Sequence, residues 1–75
     1  MSKEKIKNII EAGLMVSTKP LSITSILSLF ESEQSLQPER NDVREVLEIL
    51  QEDYSGRGIE LTEIASGFRV QARNE

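Results

Sequence analysis

The sequence predicts a mainly α domain closed by a small β-hairpin, three helices followed by two short strands. Three observations predict it. Up to Tyr54 the apolar residues recur at helical spacing in three separate runs, and beyond Gly58 their period drops to two. Between the runs, Pro20, Pro38 and the Gly56–Gly58 pair punctuate the chain where helices cannot continue.

The first run covers about Ser2 to Val16. Ile6, Ile9, Ile10, Gly13 and Leu14 fall at i, i+3, i+4, i+7 and i+8, the pattern of a helix burying one face. Lys3, Glu4, Lys5, Lys7, Asn8 and Glu11 take the other side. Gly13 lies on the buried stripe, where its missing side chain permits close approach at a cost of about 1 kcal/mol in helix propensity. Ser17-Thr18-Lys19-Pro20 breaks the helix, because Pro20 has no amide hydrogen and biases Lys19 towards extended backbone. Leu21 stands alone as a short extended piece, and Ser22 is a good N-cap for a second helix carrying Ile23, Ile26, Leu27 and Phe30.

Glu31 through Gln37 is polar and aperiodic, a loop. The third helix then begins either with Pro38 as its first residue or with Asn41 as its N-cap, and the pattern does not choose between them. Val43, Val46, Leu47, Leu50 and Tyr54 form its buried stripe, and Gly56 is placed to end it as a left-handed cap. Ile59 and Leu61, then Phe68, Val70 and Ala72, alternate with polar residues as half-buried strands do. Ala65-Ser66-Gly67 reads as the hairpin connection, with glycine at positive φ. A helix, an extended piece, two more helices and a hairpin make a winged helix-turn-helix, the hairpin being the two-stranded wing. A three-helix bundle with a disordered tail would not need the alternation after Gly58.

Seventy-five residues make one domain, 1–75, near the lower end of what folds without staples. With no cysteine there is neither a disulfide nor a thiolate zinc site, and with no histidine the usual imidazole base and metal ligand are missing. Neither GxGxxG nor a P-loop occurs, and the carboxylates lie on outward faces where nothing excludes water. The expectation is a protein without catalytic, cofactor or metal residues. No apolar run approaches a signal-peptide core or a membrane span, so the natural location is the cytoplasm.

Charge bears on the partner. The net charge is −4, and the third helix carries Glu39, Asp42, Glu45, Glu48, Glu52 and Asp53 against only Arg40 and Arg44. A helix that enters a DNA groove is expected to meet phosphates with bases, so direct nucleic-acid binding is disfavoured. The alternative, a winged-helix transcriptional regulator, would have to grip DNA through Lys3, Lys5, Lys7, Arg57, Arg69 and Arg73. Several large apolar residues also miss the core stripes: Met15 falls opposite Ile6, Leu29 and Ile49 lie off their helix centres, and Ile64 breaks parity with Ile59 and Leu61. Several on one small acidic domain point to a protein contact, unless a β-bulge near Glu63 returns Ile64 to the core.

Glu52-Asp53-Tyr54-Ser55-Gly56-Arg57-Gly58-Ile59-Glu60-Leu61 resembles the N-terminal part of segregation and condensation protein B (ScpB), the winged-helix subunit of the bacterial SMC condensin complex. Gly67-Phe68-Arg69-Val70-Gln71-Ala72-Arg73 is similar to that family's wing strand, and Lys19-Pro20-Leu21-Ser22 to its entry into the second helix. The resemblance covers nearly the whole chain. It implies a non-enzymatic adaptor that homodimerises, binds the kleisin ScpA and through it SMC, and serves chromosome condensation and segregation. In that family two winged-helix domains sit in tandem. This chain ends where the second is expected to begin, which reads as an N-terminal fragment or a short relative.

Overall fold

The computed structural model describes residues 3–33 and 35–73. Their order is α1 (Lys3–Val16), α2 (Ile23–Ser28), α3 (Arg40–Asp53), β1 (Ile59–Ile64) and β2 (Gly67–Ala72). The expected first residue of the first helix, Ser2, lies outside the described residues. One core joins the three stripes: Ile6, Ile10 and Leu14 of α1, Ile23 and Ile26 of α2, and Val43, Val46, Leu47 and Leu50 of α3. Tyr54, Leu61 and Phe68 close it from the wing end. No helix among the described residues is long and apolar enough to cross a membrane.

Ser22 caps α2 as its residue type suggests, its hydroxyl accepting from the Ser25 amide at 3.1 Å. Phe30, assigned to the second helical stripe, lies beyond the end of α2. Successive i→i+3 bonds from Leu29 to Ile26, Phe30 to Leu27 and Glu31 to Ser28 tighten the chain there and still turn Phe30 into the core. The loop that follows is pinned by two buried residues, Leu36 and Pro38.

Neither Pro38 nor Asn41 starts α3 in the expected role. The N-cap is Glu39, whose amide donates to Asp42 Oδ2 at 2.8 Å, and Pro38 precedes it as a buried lead-in. The carboxylate three residues into the helix takes up an orphan amide, half of a capping box, and so lets a residue type that seldom caps do so. At the other end the cap is Tyr54 rather than Gly56. Gly56, at φ 80°, forms the turn after the cap, in which the Arg57 amide donates to Tyr54 O at 3.0 Å.

β1 and β2 pair antiparallel in unbroken register from Ile59↔Ala72 to Ile64↔Gly67, leaving Ala65 and Ser66 as the loop. No bulge interrupts it at Glu63, and Ile64 stays 44% exposed. Leu21 exchanges two backbone hydrogen bonds of 2.8 Å with Phe68, so the extended piece is the wing's third strand reduced to one residue. Gly67 makes that possible. At φ 142° it lies where side chains rarely go, and a Cβ there would stand 2.5 Å from the Leu21 carbonyl carbon.

Candidate interaction surface

α1 and α3 meet along a seam of paired charges. Lys3 Nζ lies 3.0 Å from Glu45 Oε1, and one turn further along α1 and about two along α3 Lys7 pairs with Asp53. The Asp53 hydrogen bond holds the Lys7 ammonium above its ordinary pKa, against the opposing effect of desolvation. Two of the three lysines that the DNA-binding alternative would use, Lys3 and Lys7, are thus turned onto α3 carboxylates. Lys5 is exposed on α1.

The three arginines of the same alternative lie in or beside the wing, away from these lysines. The Arg57 guanidinium lies over the Tyr54 ring, 5.4 Å from its centroid. Arg73 binds the end of the helical layer: Nε donates to Arg57 O at 2.9 Å, and Nη2 to Tyr54 O at 3.0 Å and Ile59 O at 3.2 Å. Its Nη1 reaches Glu60 Oε1 at 3.5 Å. Arg69 is exposed on β2. The six bases therefore sit on α1, on the turn after α3 and on the wing, and three of them, Lys3, Lys7 and Arg73, already face carboxylates.

Of the four off-stripe apolar residues, Met15 is 50% exposed, Ile64 44% and Ile49 37%. Ile49 lies on α3 midway between Glu45 and Asp53, beside a shallow hollow lined by Lys3, Glu45, Glu48 and Glu52. Ile64 projects from the wing tip. Leu29 is different: half-buried, it packs against the core, and its Cδ1 fills the space that a Cβ on Gly13 would enter, at 2.7 Å. Sequence reasoning missed Val16, at 80% the most exposed large apolar residue among those described. Its only signal was its place at the helix end, where a stripe no longer predicts which way a side chain faces.

Among the described residues Tyr54 is the group whose ionisation is most perturbed. Burial first, then its hydrogen bond to Glu11 Oε2 at 2.6 Å, raises the phenol far above its usual pKa. That bond ties α1 to the end of α3. Among the described residues no three acidic side chains gather to hold a metal ion.

Three helices, a one-residue strand at Leu21 and a two-stranded wing define a winged-helix domain, here with an acidic third helix. The chain belongs to the family of segregation and condensation complex subunit ScpB, whose model matches residues 8–75. It is 38% identical over 73 residues to a segregation and condensation protein B homolog of Coxiella burnetii, a match covering 97% of this chain and 34% of that relative's length. A solved dimer of an ScpB N-terminal domain complexed with an ScpA peptide superposes with a TM-score of 0.78 at 27% identity, over 99% of this chain and 83% of that one. The crystal structure of ScpB from Mycobacterium tuberculosis shares the fold, with a TM-score of 0.76 at 24% identity, over 97% of this chain and 43% of that one.

Proposed function

We propose that this chain acts as the N-terminal winged-helix unit of an ScpB, a non-enzymatic subunit of the bacterial cytoplasm. In this reading it dimerises, binds the kleisin ScpA and so joins SMC in condensing and segregating chromosomes. The observation that carries it is the likeness, over nearly the whole chain, to an ScpB N-terminal domain that is a dimer complexed with an ScpA peptide. The acidic outer face of α3 supports a protein partner over DNA, since Glu45, Glu48 and Glu52 would repel phosphate.

For the self-contact we favour the end of α1, where Met15 and Val16 expose adjacent apolar side chains. Leu29, Ile49 and Ile64 are secondary members of the same proposal. An isologous contact through Ile49 would set Glu45, Glu48 and Glu52 against their own copies, which disfavours it as a dimer centre. Light scattering over a concentration series tests the assignment: wild type should move from monomer to dimer, and Met15→Glu should hold it monomeric. Calorimetric titration with its cognate ScpA is expected to give saturable binding. A wild type that stays monomeric and ignores ScpA would overturn the function.

A further inference from the structure

The bases of α3 are not spread evenly around the helix. Arg40 and Arg44 are four residues apart and share a face, and that face borders the wing. Both line an open hollow of about 260 Å³ between the start of α2, the start of α3 and the hairpin tip. Arg40 is fixed there by donating to Thr24 Oγ1 at 2.9 Å. Arg44 also borders the adjoining hollow of about 180 Å³, which reaches Leu47 and Phe68. In a chain with thirteen acidic residues, Arg44 forms no ion pair among the described residues. The rim opposite carries exposed apolar surface at Ile64, 44% exposed, and Ala65, set between Glu63 and Ser66.

We propose that this notch seats an extended segment of another protein in which carboxylate side chains flank an apolar one. Arg44 would receive a carboxylate on its planar guanidinium, with Arg40 already held in place beside it. The apolar side chain would lie against Ile64 and Phe68, covering surface that water now wets. A phosphate backbone fits less well. It offers no apolar group to Ile64 and brings a charge at every step past Glu63 and Glu48, where the proposed segment brings only the carboxylates that Arg44 and Arg40 can meet. A second copy fits less well too, because a two-fold contact here would set Arg44 against its own copy. The inference rests on the reading of this domain as a protein-binding subunit, and it names the chemistry of one binding surface.

The test is an amide NMR titration of the ¹⁵N-labelled chain with a capped peptide carrying a Leu-Asp-Leu-Asp core. Shift changes are expected at Thr24, Arg44 and the Ile64–Gly67 turn. Replacing the peptide's aspartates by asparagine should weaken binding about tenfold, the loss of a charge-assisted hydrogen bond, and Arg44→Ala should do the same. Arg69→Ala, which removes the same charge from the wing strand, should change it less than about twofold. The proposal is overturned if no shifts occur, if they map elsewhere, if the asparagine peptide binds as well, or if the two arginine variants weaken binding equally. Duplex DNA occupying the same amides would also overturn it, in favour of nucleic acid. The peptide substitution keeps the test decisive even if Arg44→Ala unfolds the domain. A domain that dimerises and binds ScpA but ignores these peptides would sink the notch alone and leave the proposed function standing.

Discussion

The α1–α3 seam and the junction of the wing with the helices both join distant parts of the chain, but by different means. At the seam, side chain meets side chain: Lys3 with Glu45 and Lys7 with Asp53, with Lys3 and Glu45 each more than half exposed. At the wing, the partners are backbone. Leu21 and Phe68 exchange two peptide hydrogen bonds, and Arg73 donates to the carbonyls of Arg57, Tyr54 and Ile59. Pairs of mobile, solvated side chains contribute little and can be rebuilt with other residues. Bonds to backbone fix where a strand lies, and only one residue type can make some of them. The wing should therefore be the brittle region and the seam the tolerant one.

Gly67→Ala should break that contrast open most widely. Its Cβ would meet Leu21 carbonyl carbon at 2.5 Å, Leu21 O at 2.6 Å and Ser22 N at 2.6 Å, and all three are backbone atoms that cannot rotate away. The φ of 142° adds strain independent of space. We expect a loss of about 3 kcal/mol or more, enough to unfold much of a small domain, read as a fall in thermal midpoint by circular dichroism. Gly13→Ala is the comparison within the helices. There the obstacle is Leu29 Cδ1 at 2.7 Å, the far end of a flexible side chain, and the gain in helix propensity of about 1 kcal/mol opposes it. A near-neutral Gly13→Ala beside a severe Gly67→Ala would locate the brittleness in the wing.

Arg73→Ala comes next. It removes donors from three carbonyls at the point where the wing returns to the end of α3. We expect a loss of about 2 kcal/mol, within the range for hydrogen bonds from a charged group. Arg73→Lys should recover less than half of it, since an ammonium cannot reproduce the planar fork. Full recovery by lysine would show that charge near Glu60 mattered and the carbonyl geometry did not.

These positions also show what the sequence carried and what it hid. The helical stripes and the alternation after Gly58 were legible because periodicity reports directly which face is buried, and the hairpin glycine was legible because few other residues take its φ. The reason for Gly67 was hidden: it lies in Leu21, which is 46 residues away and gives no local sign of pairing. The cap at Glu39 was hidden because glutamate rarely caps, and only the Asp42 carboxylate folding back makes it work. The role of Arg73 was hidden for a related reason. Arg73 lies in the outward half of an alternating strand, yet at the strand's end its long side chain curls back onto the helical layer. Summing six acids against two bases on α3 likewise averaged over two faces that the fold separates.

Tyr54 sits where the two regions meet, and its effect should be smaller and dependent on pH. Burial and the Glu11 hydrogen bond raise its pKa in the folded state. A raised pKa contributes stability that is fully present below the unfolded value of about 10 and is lost as pH climbs from there through the folded value. Tyr54→Phe should cost about 1 kcal/mol at neutral pH, the net worth of the lost hydrogen bond. In wild type the phenolate absorbance should rise only together with unfolding, and well above the pH at which free tyrosine ionises. A phenol titrating near 10 in the folded protein would mean that Tyr54 is wetter than its place under the wing implies.

The smallest effect belongs to the seam. Lys3→Ala removes the pair with Glu45, and because both side chains are 58% exposed the change should be about 0.5 kcal/mol or less and should shrink as salt rises. What makes this weak variant informative is Ile49, which lies one turn beyond Glu45 beside the same hollow. If the seam is tolerant, Lys3→Ala leaves the fold intact and lays Ile49 and Glu45 more open to a partner. Under the proposed function, ScpA binding should then hold constant or tighten slightly. A loss of several-fold in ScpA affinity with no loss of stability would instead make Lys3 part of the partner contact, and the seam would be a binding surface rather than a replaceable join.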